Sequence, residues 1–293
     1  MFSGSLVALV TPMLPSGEID YCSLDELVQW HLVSGTDGLV ILGTTGECAT
    51  ISESERQTFI PHVLKQVDNR IPVIVGTGSN NTAEAITRTR DAQAMGADAC
   101  LIITPYYNKP TQSGLYAHFA AIAEQSSLPQ ILYNVPSRTG VDLGVEVTKQ
   151  LDANFPHIIG LKDATANFSR LRYLLEHTNL ELFSGDDLTA LDFVHAGGRG
   201  VISVTANIAP KPMSQMMRHL SAGDLSSARQ INKNLLFWHK MLFIESNPIP
   251  TKWVLASMGK LKSGIRLPLT WLSPAYQLEL KEQLNRCECF ERG

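Results

Sequence analysis

The sequence predicts an α/β protein of the (β/α)₈ TIM barrel class with a C-terminal helical appendage. Eight short apolar runs alternate with helix-length segments, and all eight lie before residue 205 of a 293-residue chain. The runs are rich in Val, Ile and Leu and lack strict alternation, which is typical of parallel strands covered by helices on the outer face. An open doubly wound sheet is the alternative. Eight consecutive βα units and the chain length favour closure into a barrel.

The predicted strands are four or five residues long and recur at the spacing of a strand plus a helix. In chain order they are Leu6 to Val10, Leu39 to Leu42, Pro72 to Val75, Ala99 to Ile103, Gln130 to Tyr133, Ile158 to Leu161, Leu180 to Phe183 and Val201 to Val204. A helix should follow each strand, because parallel neighbours need a crossover connection.

Helix start signals follow several of these strands. Ser52-Glu53-Ser54-Glu55 combines a serine cap with acidic residues in the first turn, and Asn81-Thr82-Ala83-Glu84 opens another amphipathic segment. Further helices are predicted at Thr111 to Gln125, Ala164 to His177, Pro210 to Ala222, Asp224 to Lys240, Pro250 to Met258 and Ser273 to Asn285. The break near Gly223 predicts a barrel domain over residues 1–223 and a C-terminal helical region over 224–293, expected to serve assembly and to cover the barrel side.

The bulk composition excludes several classes of protein. The chain has 24 basic and 28 acidic residues, a net charge of −4 and a pI near 6.1, so it has no electrostatic footprint for nucleic acid or an anionic membrane. No apolar run reaches the ~18 residues of a membrane span, and the first residues lack a basic region and a cleavage signal. We expect a soluble cytoplasmic protein. The five cysteines fit a reducing compartment, and the Cys287/Cys289 pair is expected to have no metal or redox role.

The rim formed by the strand ends carries hydroxyl groups, one lysine and few carboxylates. A metal site would need clustered His, Asp and Glu there, and all eight histidines are expected in helices or before strands, away from the rim. The sequence therefore predicts neither a metal nor a cofactor. Gly76-Thr77-Gly78 lacks the third glycine of a dinucleotide loop. Gly197-Gly198-Arg199-Gly200 precedes a strand, so it belongs to the opposite, structural face.

Lys162 is the leading candidate for chemistry. The apolar residues Ile158 to Leu161 carry it to the end of a buried strand, where partial desolvation favours the neutral amine that can form a Schiff base. Tyr133 ends the neighbouring strand, about 4.8 Å away, and Arg138 in the following loop suits a substrate carboxylate. Each residue alone also fits a simpler role: a surface lysine, a packing tyrosine and a surface ion pair.

Gly43-Thr44-Thr45-Gly46 follows the second strand and has two interpretations. Its backbone N–H groups could surround a carboxylate as an anion-binding nest. Alternatively, the two glycines meet only the geometry of a tight turn.

The strand ends together resemble the dihydrodipicolinate synthase / N-acetylneuraminate lyase family of class I aldolases, from about Gly4 to Trp271. The matching segments are Gly43-Thr44-Thr45-Gly46-Glu47, Thr104-Pro105-Tyr106-Tyr107-Asn108-Lys109-Pro110, Tyr133-Asn134-Val135-Pro136-Ser137-Arg138-Thr139-Gly140, Gly160-Leu161-Lys162-Asp163-Ala164-Thr165, Ser184-Gly185-Asp186-Asp187, Gly200-Val201-Ile202-Ser203-Val204-Thr205-Ala206-Asn207 and Asn247-Pro248-Ile249-Pro250. As an ordered set these segments are highly specific.

The resemblance implies roles for the rim residues. Lys162 would form an imine with pyruvate, and Tyr133 would donate and accept protons. Thr44 and Tyr107 would complete a proton relay, with Tyr107 reaching in from a neighbouring subunit. The substrate-binding residues would be Thr45, Arg138, Gly185 and Ile202.

The resemblance also implies the reaction and the assembly. Pyruvate would condense with L-aspartate 4-semialdehyde to give 4-hydroxy-tetrahydrodipicolinate, the committed step towards lysine and diaminopimelate. Arg138 and Tyr107 favour this synthase over a pyruvate-dependent sugar-acid aldolase such as N-acetylneuraminate lyase, whose aldehyde partner is a polyol. The presence of both Lys162 and Tyr133 argues against a non-catalytic binding protein. A homotetramer built as a dimer of dimers is expected.

Family members that respond to lysine bind it at a dimer interface. The matching positions here are Cys48, Ala49, Asn80, Glu84 and Tyr106. Responsive bacterial members often carry histidines where this chain has Glu53 and Arg56, and Arg56 would place a positive charge near a cationic effector. We expect lysine inhibition to be weak or absent.

Overall fold

The structure is a computed structural model that describes residues 2–286. Its eight strands are all parallel and close into a barrel in sequence order, with β8 paired to β1. The strands are β1 Gly4–Ala8, β2 Gly38–Ile41, β3 Val73–Gly76, β4 Ala99–Ile103, β5 Gln130–Asn134, β6 Ile158–Asp163, β7 Glu181–Ser184 and β8 Gly200–Ser203. The predicted barrel is thus confirmed, and the open sheet is excluded.

The described residues form twelve α-helices, and two 3₁₀ turns at Cys48–Thr50 and Thr205–Asn207. The helices are α1 Tyr21–Ser34, α2 Glu53–Val67, α3 Thr82–Met95, α4 Gln112–Gln125, α5 Pro136–Thr139, α6 Val145–Asn154, α7 Phe168–His177, α8 Ala190–His195, α9 Pro210–Ser221, α10 Leu225–Met241, α11 Ile249–Ser257 and α12 Pro274–Arg286.

The predicted caps begin the helices where the sequence indicated. Ser52 and Glu55 form a reciprocal capping box at the start of α2, which satisfies two backbone donors at once. Asn81 caps α3 and Thr111 caps α4 through their side-chain oxygens. The prediction for α7 began four residues too early, because Asn167 caps that helix and Ala166 before it has a φ of +54°. The bounds of helices α1, α5, α6 and α8 were not predicted.

Buried apolar side chains form two layers. The larger layer lies between the strands and the helices, and the smaller one fills the barrel interior. The interior layer consists of Leu6, Ala8, Val40, Ile74, Ala99, Leu101, Ile131, Tyr133, Val135, Phe183 and Ile202. The barrel is therefore packed through its centre, and a polar group enters this interior only near the strand ends.

An irregularity in β6 reverses which of its side chains face inward. The pairing between β5 and β6 shifts after Gln130, which pairs with Ile158, so that Ile131 pairs with Gly160. Ile159 packs on the interior layer, whereas Leu161 packs on the outer one. In a regular strand these two residues would face the same side. The extra residue turns Lys162 into the barrel.

The helices after β8 contact one another and both the first and the last parts of the barrel. Helix α9 packs on β1 and α1, α10 packs on α9 and α8, and α12 packs on α11. No helix in the described part of the chain is long and apolar enough to cross a membrane. Cys287 and Cys289 lie outside the described residues, and the domain division at residue 223 stays a prediction.

Candidate active site

Lys162 and Tyr133 meet inside the carboxyl end of the barrel. They pair directly across β5 and β6, and Lys162 Nζ lies 4.2 Å from the centroid of the Tyr133 ring. Only 5% of Lys162 and 7% of Tyr133 is exposed to solvent. The amine is therefore held in an enclosed place, as its position at the end of an apolar strand predicted.

Burial lowers the pKa of Lys162 to about 8, with a smaller opposing effect from the Asp187 charge and a reinforcing one from Arg138. At pH 7 roughly one amine in ten is then neutral, compared with about three in ten thousand for an ordinary lysine. A neutral amine retains the lone pair that attacks a carbonyl carbon. The site thus supplies a nucleophile without a separate base.

The phenol of Tyr133 is held in its protonated form. Burial raises its pKa to about 12, against weaker lowering effects from Arg138 and from a hydrogen bond with Thr44. Thr44 lies on the loop after β2, and Arg138 lies on α5, which directly follows β5. A protonated phenol bonded to a second hydroxyl can donate a proton and recover it through that partner.

A pocket of about 40 Å³ encloses these groups at the top of the barrel. Its lining includes six of the predicted site residues: Thr44, Thr45, Tyr133, Arg138, Lys162 and Gly185. A Cβ atom at Gly185 would lie 2.9 Å from Ala164 Cβ and 3.1 Å from Lys162 Cε. Only glycine therefore lets the β7 end approach the lysine this closely.

Two larger cavities open from this pocket. One, of about 340 Å³, is mostly apolar and reaches Thr44, Tyr133 and Arg138. The other, of about 670 Å³, reaches Gly185, Asp186 and His239. Arg138 lines both cavities as well as the inner pocket.

Two predicted site residues lie elsewhere. Ile202 is 1% exposed and packs in the barrel interior. Tyr107 is 88% exposed and has a φ of +73°, so its side chain contributes nothing to the pocket of its own chain.

The expected effector residues lie along the wall of the 340 Å³ cavity and just behind it. Cys48, Ala49 and Tyr106 line this cavity. Asn80 donates a hydrogen bond to the Tyr106 carbonyl at 3.1 Å. Glu84 already forms an ion pair with Arg88 at 2.5 Å.

Arg56 and Arg88 bring two positive charges to this region, and both form ion pairs with Glu53. Arg56 is 3% exposed and donates a hydrogen bond to the Gly76 carbonyl at 2.6 Å. Arg88 bridges Glu53 and Glu84. Both guanidinium groups act on the Cys48 thiol, although burial dominates and raises its pKa.

Sequence reasoning missed the contribution of the C-terminal region to this site. Asn247 lines all three cavities, and its Nδ2 donates to Thr45 Oγ1 at 2.8 Å. Its carbonyl accepts a hydrogen bond from Arg138 at 3.4 Å. The sequence offered one indication, because Asn247-Pro248-Ile249-Pro250 is among the segments that match the family. That match did not indicate which part of the barrel the segment contacts.

Glu47 and Lys252 form a buried ion pair that was also missed. Their side chains are 1% and 0% exposed, and they are in direct contact. Glu47 ends the loop that carries Thr44 and Thr45, and its second carboxylate oxygen accepts a hydrogen bond from the Arg266 backbone. Lys252 lies within α11. This pair fixes the C-terminal region to the β2 loop.

The expectation that all histidines lie away from the rim was wrong for His239. Its Nδ1 lies 2.8 Å from Thr205 Oγ1, just after β8, and its ring lines the 670 Å³ cavity. The prediction failed because α10 folds back over the barrel end. Burial lowers the pKa of His239 against the raising effect of Asp187. Within residues 2–286, no cluster of three or more His, Cys, Asp or Glu side chains has the arrangement of a metal site.

A model of the dihydrodipicolinate synthetase family matches residues 1–287 of this chain. A 4-hydroxy-tetrahydrodipicolinate synthase of Stutzerimonas stutzeri strain A1501 is 51% identical over 288 residues, which is 98% of each chain. The match therefore extends over nearly the full length.

Two solved structures match this one over nearly the full length of each chain. The chloride-inhibited dihydrodipicolinate synthase of Acinetobacter baumannii, in complex with pyruvate, is 47% identical with a TM-score of 0.96, covering 99% of this chain and 100% of that one. A monomeric dihydrodipicolinate synthase variant is 37% identical with a TM-score of 0.96, covering 99% and 98%.

Proposed function

Because this chain belongs to the dihydrodipicolinate synthetase family, we propose that it condenses pyruvate with L-aspartate 4-semialdehyde through a Schiff base on Lys162. The product is 4-hydroxy-tetrahydrodipicolinate, and the step commits carbon to lysine and diaminopimelate. The observation that carries the residue assignment is the buried amine of Lys162 over the Tyr133 ring. The full-length relatives support this synthase and give no support to a sugar-acid aldolase.

Imine formation begins with attack of the neutral Lys162 Nζ on C2 of pyruvate. The carbonyl π electrons move to oxygen, which is protonated and leaves as water, giving an iminium ion. The lowered pKa of Lys162 supports this first step, and Tyr133 in contact with the amine supports its role as proton donor and acceptor. We assign pyruvate binding to Thr45 and Gly185, which line the inner pocket, and to Ile202, which packs in the barrel interior two residues before the pocket residue Val204.

The iminium then withdraws electrons from the pyruvate methyl group. Loss of one methyl proton leaves a carbon–carbon double bond, and the former C=N electrons return to nitrogen, so an enamine forms. The enamine carbon attacks the aldehyde carbon of the second substrate, whose oxygen takes a proton. The substrate's own amine then attacks C2 and displaces Lys162, which closes the ring and frees the enzyme.

Arg138 is assigned to the carboxylate of the semialdehyde. Arg138 lines both of the larger cavities and the inner pocket. Its guanidinium is turned towards the Asn247 carbonyl, which leaves other donors of the fork for a bidentate carboxylate contact.

The proton relay of Tyr133, Thr44 and Tyr107 needs a second subunit in this proposal. The exposed position of Tyr107 supports this, as does the apolar 340 Å³ cavity beside Thr44 and Tyr133, which has room for an aromatic ring. We accordingly propose a homotetramer assembled as a dimer of dimers in the cytoplasm. A barrel domain over residues 1–223 would carry the chemistry with support from residues 224–293.

Weak or absent inhibition by lysine is part of the proposal. An ammonium group entering the site of Cys48, Ala49, Asn80, Glu84 and Tyr106 would need a free carboxylate. Glu84 is neutralised by Arg88, and Arg56 and Arg88 both act on Cys48 at the cavity wall. Like charges disfavour a cationic effector.

Reduction with borohydride in the presence of pyruvate, followed by peptide mass spectrometry, tests the assignment. The expected result is a pyruvate-dependent adduct on the peptide that contains Lys162. Exposed Lys240, which lines the outer cavity, serves as the internal control and should stay unmodified. A folded enzyme with no adduct would contradict the Schiff-base mechanism.

A further inference from the structure

Asp187 is a buried carboxylate near the lysine end of the barrel. It is 2% exposed and lies two residues after Gly185, where an added Cβ atom would be 3.1 Å from Lys162 Cε. Neither the sequence nor the reaction described above gives Asp187 a role.

Neutral donors hold the Asp187 carboxylate in place. Ser203 Oγ donates to Oδ1 at 2.5 Å, and the backbone N–H groups of Val204 and Thr205 donate to Oδ2 at 2.9 Å each. Three such bonds occupy both oxygens of the carboxylate. They also fix it against the end of β8, with no freedom to swing towards solvent.

The charge of Asp187 differs from those of other buried rim carboxylates in how it is balanced. Glu47 contacts Lys252, and Asp163 contacts Arg170 at 2.5 Å. Among residues 2–286, no cation lies within ion-pair distance of Asp187. Gly185, two residues before Asp187, and Val204, whose N–H binds the Asp187 carboxylate, both line the inner pocket together with Lys162. The Asp187 charge also acts to raise the pKa of Lys162, so the two side chains form a buried pair that is not in direct contact.

Other charged and titratable groups also face Lys162 and Asp187. Lys162 faces the protonated phenol of Tyr133 on β5 and the Arg138 guanidinium on α5. Asp187 faces His239 of α10, whose pKa burial lowers so that the ring is neutral at pH 7. Asp186 adds its charge on the side of His239. A cation formed on Lys162 therefore has a positive neighbour in Arg138 and a negative one in Asp187.

We propose that Asp187 is the counter-ion of the iminium formed on Lys162, and hence a positioning residue for charge that does not touch pyruvate. This inference rests on the proposed Schiff-base function. Only the charged iminium acidifies the pyruvate methyl group. A fixed negative charge in a water-poor pocket stabilises that cation without reorganising during the reaction.

Asp187→Asn separates this role from a structural one. Imine formation should persist, because loss of the negative charge leaves more of Lys162 neutral and moves the acid limb of its pH profile to lower pH. Exchange of the pyruvate methyl protons with D₂O should fall by about ten- to a hundredfold, since less of the imine is protonated. A variant that merely disturbs the fold would slow both steps together and leave the pH limb unmoved.

Asp192→Asn provides a matched control, because it removes the same charge from exposed Asp192 of the following helix α8. It should leave both rates and the pH limb unchanged. Adduct formation is measured by cyanoborohydride trapping with mass spectrometry, and methyl exchange by proton NMR in D₂O. Two results would overturn the proposal. One is a folded Asp187→Asn variant whose methyl-proton exchange is unchanged. The other is an equal loss of imine formation and methyl-proton exchange, with the acid limb of the pH profile unmoved.

Asp187→Glu keeps the test decisive if Asp187→Asn does not fold. Asp187→Glu retains the negative charge, so methyl-proton exchange should stay within about tenfold of wild type. A folded Asp187→Glu variant whose acid limb for imine formation moves to lower pH would overturn the proposal. Failure of the proposed function itself has a different signature, because wild-type enzyme would then give no pyruvate adduct at all.

Discussion

Lys162 and Tyr133 are paired across β5 and β6, with the amine 4.2 Å from the ring centroid. This relationship depends on the one-residue irregularity between Ile158 and Gly160. Without it, Tyr133 would face Leu161 and the amine would point into the helical layer. The register shift in β6 therefore creates the site as directly as the lysine does.

The pH dependence of imine formation should report the lowered pKa of Lys162. The rate of pyruvate-dependent trapping should rise with pH and level off above about 8, because the neutral amine is the nucleophile and its pKa is about 8. Initial rates of adduct formation with cyanoborohydride, taken from about pH 6 to about pH 10, measure this. A rate that keeps rising towards the ordinary lysine pKa would contradict the buried environment.

Lys162→Met should stabilise the folded protein while abolishing activity. A lysine whose pKa is lower in the folded than in the unfolded state opposes folding wherever the unfolded chain binds the extra proton. The penalty is full at pH 7, about 3 kcal/mol for a shift from 10.5 to about 8, and fades as pH rises through that window.

Urea denaturation of wild type and Lys162→Met at pH 7 and near pH 10 measures the effect. The gain in unfolding free energy should shrink at the higher pH. Lys260→Met is the control, because Lys260 lies over the Trp30 ring away from the site. Its difference in unfolding free energy from wild type should not change between the two pH values. Equal stability of wild type and Lys162→Met at pH 7 would refute the prediction.

Tyr133→Phe should impair proton transfer while leaving the fold intact. The ring and its packing in the barrel interior remain, whereas the hydroxyl bonded to Thr44 is lost. Turnover should fall by about 10²- to 10⁴-fold, with the pyruvate adduct still detectable by mass spectrometry. Tyr116→Phe is the control, because its hydroxyl contacts only Asn154 on the outer helices. Near-normal turnover of Tyr133→Phe would remove Tyr133 from the mechanism.

Lys252→Met should destabilise the protein strongly. It leaves the Glu47 carboxylate buried without its cation, a loss of about 3 to 5 kcal/mol. Glu47→Gln combined with Lys252→Met removes both charges and should recover a large part of that loss. Urea denaturation checks both variants. Glu282→Gln, which breaks an exposed pair with Arg286, should change stability by less than about 0.5 kcal/mol. Additive losses in the double variant would show that the two residues are not coupled.

Lysine should inhibit the wild-type enzyme weakly or not at all. Arg88→Met should increase its effect, because the substitution removes a positive charge and frees Glu84 and Glu53. Titration of turnover with L-lysine measures both. Arg90→Met on the exposed face of the same helix is the control. Strong inhibition of wild type at sub-millimolar lysine would overturn the expectation.

The barrel could be predicted because its signals are local. Apolar runs and side-chain caps such as Ser52 and Asn81 identify elements within a few residues of their observed bounds. Lys162 and Tyr133 could be placed together because sequential parallel strands are neighbours in a closed barrel. Helix α1 begins with a comparable cap, Asp20, that was overlooked, whereas α6 and α8 begin without a side-chain cap.

The supporting groups of the site depend on long-range contacts that no local pattern encodes. Asn247 meets Thr45 across 202 positions of sequence, and His239 reaches Thr205 only because α10 folds over the rim. The register shift in β6 had one local signal, Gly160 within the apolar run, because an isolated glycine in a strand indicates a bulge. The apolar residues around it, Ile158, Ile159 and Leu161, do not by themselves distinguish a regular strand from an irregular one.

The buried pair of Glu47 and Lys252 limits how this protein can be recombined. A chimera that joins one relative's barrel to another's C-terminal helices inherits the two charges from different parents. If either parent lacks its partner charge, the hybrid places a lone ion in the interior and loosens the loop that bears Thr44 and Thr45. Residues 47 and 252 therefore have to be exchanged together, so the β2 loop and helix α11 have to come from the same parent.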